Sequence, residues 1–424
     1  MKKILRFLFF ALLALTLTAG VATFLIVKLA LAPASGEWST RVDLGPMDVE
    51  IGVPTALRLL TSPWVAQRLS GRTFDTRAGP VRLVWDEGGQ SLEASCTLCS
   101  VAMASLGPRP LRFDGVFVTV RRDGNLLSGR IHAVPLSGTV TTPVPFTAAW
   151  TGRLSQQTVQ LHIDAADAPV AQWYVVLAPQ ISELMRARVG GTMAFAADFN
   201  LPDCSVSLHP LLSQFTVSGL GSDALLRARP VCGAPAQLAA DSWLARAVMA
   251  AEDPRFLTNP GYELGELALS SDGAARKGQP AHAGGTLTQQ LARLLIQGQS
   301  QGGQRSSEDR LRELLYAVDM EQSLGKARIL QAYLDSAPWG AGVCGAEAAA
   351  RLYFKRSARS LEPAQAVWLA AMLHDPDAEL ARWRQTGLPN AARTKWVAEG
   401  VRGLSRPQRD SLLKNVGTAQ FPAP

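Results

Sequence analysis

Residues 241–254 read D-S-W-L-A-R-A-V-M-A-A-E-D-P, and the hydrophobic period changes inside that stretch. Leu244, Ala247, Val248 and Ala251 recur at intervals of three and four, the spacing of one helical face. Downstream the chain keeps this period. Ser306-Ser307-Glu308-Asp309 reads as a helix cap, followed by Leu311, Leu314, Leu315 and Val318 at core spacing. Lys326 to Asp335 forms another helix, and the small residues from Gly345 to Phe354 suit close helix packing. Ser360 opens a further helix with Pro363 in its first turn, where a missing N–H is harmless. Residues 236–424 are therefore expected to be an all-α domain.

Upstream, over residues 35–235, the period is two. Val116, Val118 and Val120 share one face, as do Val159, Leu161 and Ile163, and Met193, Phe195, Ala197 and Phe199. Glu87-Gly88-Gly89, Asp123-Gly124-Asn125, Ser137-Gly138 and Gly190-Gly191 supply turn signals between the runs. A helical insertion is expected from Ala171 to Ala187, broken near Pro179. The pattern describes a mainly antiparallel sheet with one covered face. Its strand–helix–strand rhythm resembles the AsmA-like periplasmic β-domains, which implies a hydrophobic groove; an accessory spacer sheet is the alternative.

Residues 7–27 carry no charge and no proline. At about 1.5 Å per residue that run matches the roughly 30 Å hydrocarbon core of a bilayer. Lys2, Lys3 and Arg6 precede it, which predicts a cytoplasmic N-terminus. Residues 1–34 are thus expected to be a cytoplasmic stub and a single transmembrane helix at the inner membrane, with the bulk of the chain in the periplasm. A cleaved signal peptide is the rival; Pro33 directly after Ala30-Leu31-Ala32 disfavours cleavage there. The fold class expected is α+β and multidomain.

The chain has 424 residues, 47% of them hydrophobic, with a formal net charge of +7. A basic exported chain meets anionic lipid headgroups, and no dense Lys/Arg cluster points to nucleic acid as a partner. Of the five cysteines, Cys96 and Cys99 form a C-x-x-C spacing inside a strand-like run. That leaves a structural or free pair, or a redox pair, open. Cys204 and Cys232 are expected to bond each other across the end of the β region. The five histidines are scattered and suggest no metal cluster.

Two carboxylates stand out. Glu252 falls at the end of its helix, where the dipole disfavours negative charge, so its pKa is expected to rise. Glu313 lies inside the helix after Ser306. Paired acids flanking an anomeric centre are a recurring solution for glycosyl transfer, although a lone glutamate near a helix end is usually a solvated surface group.

The words around them are more specific. A-E-D-P-R-F-L-T-N-P-G-Y-E at residues 251–263 is similar to the first motif of glycosyltransferase family 51, and G-G-T-L-T-Q-Q-L-A-R at 284–293 to its second. D-R-L-R-E at 309–313, I-L-Q-A-Y-L-D at 329–335 and W-G-A-G-V-C-G-A-E-A-A-A-R-L-Y-F-K-R at 339–356 resemble the next three, in order. The resemblance implies a peptidoglycan glycosyltransferase of the monofunctional, biosynthetic kind, with a lysozyme-like helical fold. It implies that Glu252 deprotonates the acceptor hydroxyl and that Glu313 stabilises the departing lipid pyrophosphate. Asp253, Phe256, Thr286, Gln289, Gln290, Arg293 and Arg310 are the implied substrate-binding residues. It implies no tightly bound cofactor, with a divalent cation, magnesium or manganese, at the pyrophosphate. The implied partners are lipid II, nascent glycan, the inner membrane and other cell-wall synthesis proteins. The set S-x-x-K, S-x-N and K-T-G does not occur as a set, since S-x-N and K-T-G are absent, so no cross-linking activity is expected.

The sequence also departs from the family. Asn259 stands for a histidine, Glu263 for an aspartate, Gly285 for a serine, Leu294 for an asparagine and Asp309 for an arginine. Gln331 replaces a glutamate, Asp335 an asparagine, and Lys355-Arg356 a Gly-Lys pair. Asp309 puts negative charge where the leaving group is expected, so Asp309→Arg is expected to raise activity. The segment 264–283 corresponds to the family's membrane-dipping region, and with Arg276 and Lys277 it is polar here. These departures keep open a degenerate domain that binds lipid II or glycan and regulates cell-wall synthesis. A lytic transglycosylase is a further rival.

Overall fold

The computed structural model describes residues 29, 32–43, 48–76, 78–101, 110–136, 145–203, 205–228, 234–264, 284–297 and 306–418. The expected anchor at 7–27, the Ser137-Gly138 turn, the Cys204–Cys232 pairing and the polar segment 265–283 lie outside the described residues. Among those described, no helix is long and apolar enough to cross a membrane.

The period-two half forms strands. β1 (Ser39–Asp43) pairs antiparallel with β2 (Asp48–Gly52). Two short helices follow, α1 (Val53–Leu60) and α2 (Pro63–Leu69), each with a proline in its first turn. The chain then runs as a meander through β3 (Thr73–Thr76), β4 (Gly79–Asp86), β5 (Ser91–Val101), β6 (Leu111–Asp123), β7 (Leu126–Pro135), β8 (Phe146–Leu154) and β9 (Val159–Pro169). β10 (Arg188–Leu201) and β11 (Ser205–Ser218) complete a nine-stranded sheet of order β11-β10-β9-β8-β7-β6-β5-β4-β3. Cross-strand partners share a face. Trp85 opposite Leu92, Cys96 opposite Val116, Ala133 opposite Phe146, Trp150 opposite Ile163 and Leu154 opposite Val159 therefore lay down one apolar face.

The expected turn at Gly190-Gly191 is instead inside β10. Gly191 has φ +91°, and a Cβ there would meet the Gln214 carbonyl at 2.5 Å. The glycine pair permits a close backbone approach within the sheet rather than ending a strand. Cys96 and Cys99 are bonded to each other within β5, on either side of Leu98, which has φ 54° and is skipped by the β6 ladder. Cys344 is also disulfide-bonded.

The expected insertion resolves into helix α3 (Val170–Leu177) and a 3-10 turn at Ser182–Met185, with Pro179 between them. From there the fold is helical: α4 (Ser222–Ala228), α5 (Trp243–Glu252), α6 (Leu287–Gln297), α7 (Ser307–Ser323), α8 (Lys326–Ser336), α9 (Ala346–Phe354), α10 (Pro363–Met372), α11 (Pro376–Thr386), α12 (Ala391–Gly400) and α13 (Arg406–Thr418). Ser242 caps α5. Ser306 and Asp309 form a reciprocal capping box on α7. α10 begins at Pro363 with Glu362 as its cap, while Ser360 falls in a preceding 3-10 turn. Every residue from Ala364 to Met372 is buried, so α10 is the central helix of this core.

Two compact units emerge, and the division is discontinuous in sequence. One takes the described residues of 1–102, 110–167 and 194–209; the other takes those of 103–109, 168–193 and 210–424. The second unit thus includes α3, its 3-10 turn and the ends of β10 and β11 together with the helices.

Candidate active site

α6 is the spine of the site. Its N-terminus is fixed by Thr286 and Gln289. The Thr286 hydroxyl accepts from Gln289 N (3.1 Å), and Gln289 Oε1 accepts from Thr286 N (3.0 Å). This is a capping box, and it leaves both side chains buried. Thr286 also donates to the Gly261 carbonyl (2.6 Å), and Gln289 Oε1 accepts from Glu263 N (3.0 Å). Gly285 precedes the cap with φ +75°, a conformation that favours glycine over the serine of the resembling family.

One turn into α6, Gln290 and Arg293 stand three residues apart and so share a face. Each engages one of the two glutamates. Gln290 Nε2 donates to Glu252 Oε2 (3.3 Å), and its own Oε1 accepts from the Tyr333 hydroxyl (2.8 Å). Burial, with the Glu252 charge adding to it, pushes the Tyr333 phenol well above its ordinary range, which keeps it a neutral donor. Arg293 donates through Nε and Nη2 to the two oxygens of Glu313, at 3.2 and 3.3 Å. The bidentate geometry suits a guanidinium. α6 therefore gathers the C-terminal end of α5 and the middle of α7 against one side of itself. Arg310 is half-buried one turn before Glu313 on α7.

Glu252 is the last residue of α5, and its side chain is 0% exposed. Arg393 of α12 meets it at 3.0 Å and also donates to the Ala251 carbonyl. The helix dipole disfavours charge here, as the sequence predicts, but the guanidinium supplies the counter-charge that allows a buried carboxylate. Sequence reasoning missed Arg393. It lies 141 residues from Glu252, and no short motif joins the two.

Asp253 and Phe256 organise the segment after α5. Asp253 accepts two hydrogen bonds from Asn259 Nδ2, both 2.9 Å, and one from Leu287 N at the start of α6 (3.1 Å). Burial raises its pKa, and these donors oppose the shift. Lys326 donates to Asn259 Oδ1 and Glu321 Oε1, each at 2.8 Å, and lies 4.7 Å over the Phe256 ring. Asn259, in the histidine position, is thus a neutral link between the Asp253 carboxylate and the Lys326 ammonium, joining α5, α6 and α8. Glu263 pairs with Arg255 at 2.6 Å, and Gln331 donates to Asp335 at 2.9 Å.

Asp309 has a different task from the one its charge suggests. Its Oδ2 accepts from both the backbone N–H and the hydroxyl of Ser306, closing the α7 cap. Asp309→Arg would remove this cap and place a cation at a helix N-terminus, which opposes the expected gain.

Among the described residues, no group of three or more His, Cys, Asp or Glu side chains could hold a metal ion. Glu313 offers both oxygens to Arg293. Arg293, beside Glu313, is a charge available for an anionic leaving group.

The site is thus two buried glutamates, each with its own arginine, held on two helices by residues of a third. Residues 236–401 match the family model described as Transglycosylase. Curated relatives named biosynthetic peptidoglycan transglycosylase include those of Thiobacillus denitrificans, Paraburkholderia xenovorans and Nitrosomonas europaea. The first is 39% identical over 133 residues, which is 31% of this chain and 56% of the relative. The second is 41% identical over 133 residues, 31% and 54%. The third is 42% identical over 135 residues, 32% and 54%. The chain spans about half the length of the curated relatives it matches.

Proposed function

We propose that this protein is a peptidoglycan glycosyltransferase that polymerises lipid II into glycan strands at the outer face of the inner membrane. The observation that carries the reading is the placement of Glu252 and Glu313 on two helices gripped by Gln290 and Arg293 of one face of α6. Glu252 accepts the proton of the acceptor sugar hydroxyl as that oxygen bonds the donor's anomeric carbon. The bond from that carbon to the lipid pyrophosphate breaks, its electron pair leaves with the phosphate oxygen, and the configuration inverts. Arg293, oriented by Glu313, meets the developing charge; a guanidinium fits phosphate oxygens well. The family match and the relatives' names support this reaction, and the basic composition suits an anionic membrane surface and substrate.

The degenerate binding reading rested on the departures from the motifs. Asn259 and Asp309 now have structural tasks, which weakens that case. The test is the purified full chain with labelled lipid II in detergent, with magnesium or manganese supplied. Glycan chains are expected, and Glu252→Gln should lower turnover by about 10²–10⁴-fold while lipid II still binds. Binding without product under every condition would put the regulatory binding reading in its place. Shortening of preformed glycan would favour the lytic one.

A further inference from the structure

α7 carries Glu313 toward α6, and a different face of the same helix is gripped by residues from the segment that links the strands. The Tyr174 hydroxyl of α3 donates to the Leu311 carbonyl (3.1 Å). That carbonyl also serves the helix ladder toward residue 315, so the tyrosine adds a second bond to it. Gln180 Nε2 donates to Glu308 (2.8 Å), and Glu183 of the 3-10 turn pairs with Arg312 (3.2 Å). Arg186 donates to the Tyr316 hydroxyl (3.2 Å). At the far end, Asp319 accepts from Leu220 N, Ser222 N and the Ser222 hydroxyl at the start of α4.

The gripped positions on α7 are 308, 311, 312, 316 and 319, spaced three and four apart apart from one adjacent pair. They form one stripe along the helix. Glu313 is adjacent in sequence to Arg312 and so lies about 100° around the helix from it. Tyr174 is 3% exposed and Asp319 4%, so the contacts belong to a packed interior. All these residues fall in the second compact unit. The residues of α3 and its 3-10 turn lie before residue 236, where the transglycosylase match begins.

We propose that Tyr174 and Glu183 are positioning residues: the segment 170–186 braces α7 and sets the register at which Glu313 meets Arg293. The inference rests on the polymerase reading for its catalytic consequence. A helix held only on its α6 side would be free to slide or roll, and a displacement near 1 Å is enough to cost about 10²-fold in a reaction that depends on orientation. The brace works through α7 and touches no substrate.

The test uses the full chain carrying Tyr174→Phe and Glu183→Gln together, which keeps ring packing and side-chain size while deleting the hydroxyl bond and the charge. kcat is expected to fall about tenfold with KM for lipid II within about twofold. Amide hydrogen exchange should quicken at residues 311–317 and stay unchanged in α10. Arg359→Gln, which loses bonds to Ala236 and Gln237 remote from α7, is the control and should keep wild-type kcat. Wild-type kcat and α7 protection in the double variant would overturn the proposal, as would an equal loss of kcat in the control. Should the wild-type chain make no glycan, the polymerase reading fails on its own; exchange then judges the brace, with faster exchange confined to α7 keeping it and unchanged exchange removing it.

Discussion

Lys355 ends α9 at φ 57°, in the left-handed region, where the resembling family carries glycine. A Cβ-bearing residue there is strained by about 1 kcal/mol, and glycine is the usual solution at a helix C-terminus. Lys355→Gly is expected to raise stability by about 0.5–1 kcal/mol, read as a higher melting temperature. The Glu252–Arg393 pair makes the opposite prediction. Arg393→Met leaves a buried carboxylate without this counter-charge, which should cost about 3–5 kcal/mol in denaturant unfolding. In a Glu252→Gln background the same change should cost far less. Additive effects in the double-mutant cycle would show that the pair is not coupled. Glu252 was legible from its motif, whereas Arg393 was not, because a partner 141 residues away is chosen by helix packing rather than by local spacing.

At the scale of elements, capping chemistry carries most of what was readable. S-S-E-D before an apolar period announces α7, and the structure places its capping box there. The identity of Asp309 was legible but its task was not: a motif comparison reads its charge, while the cap uses its carboxylate as an acceptor. Asp309→Arg is expected to lower stability by about 1–2 kcal/mol and to leave turnover no higher; a gain in glycan synthesis would contradict the capping account. The Thr286–Gln289 box on α6 adds a task that the motif does not announce, since these two residues also form the helix start. The Gly190-Gly191 pair was misread as a turn because two glycines permit both a reversal and a close interstrand approach, and only the neighbouring Gln214 backbone decides.

At the scale of the whole molecule, stability should depend on pH through a half-buried histidine. His374 lies between α10 and α11, its Nδ1 against the Ala371 carbonyl and its Nε2 3.5 Å from Glu379. Burial lowers its pKa from 6.5, and the Arg393 charge adds to that, against the pull of Glu379 and Asp375. The unfolded chain therefore binds this proton more readily than the folded one. Stability from this group is present above pH 6.5 and is lost as pH falls through the window below it. His374→Gln should flatten unfolding free energy against pH in that window, and an unchanged slope would refute the assignment. By itself the sequence determined the antiparallel and helical halves, the α7 cap and the candidacy of the two glutamates, because periodicity, capping and motif spacing are local properties. Only the tertiary structure decided that Arg393 holds Glu252, that Arg293 holds Glu313 and that Tyr174 and Glu183 grip α7. Such pairings join residues far apart in the chain, and they are selected by which helix faces pack together, a choice that no local pattern encodes.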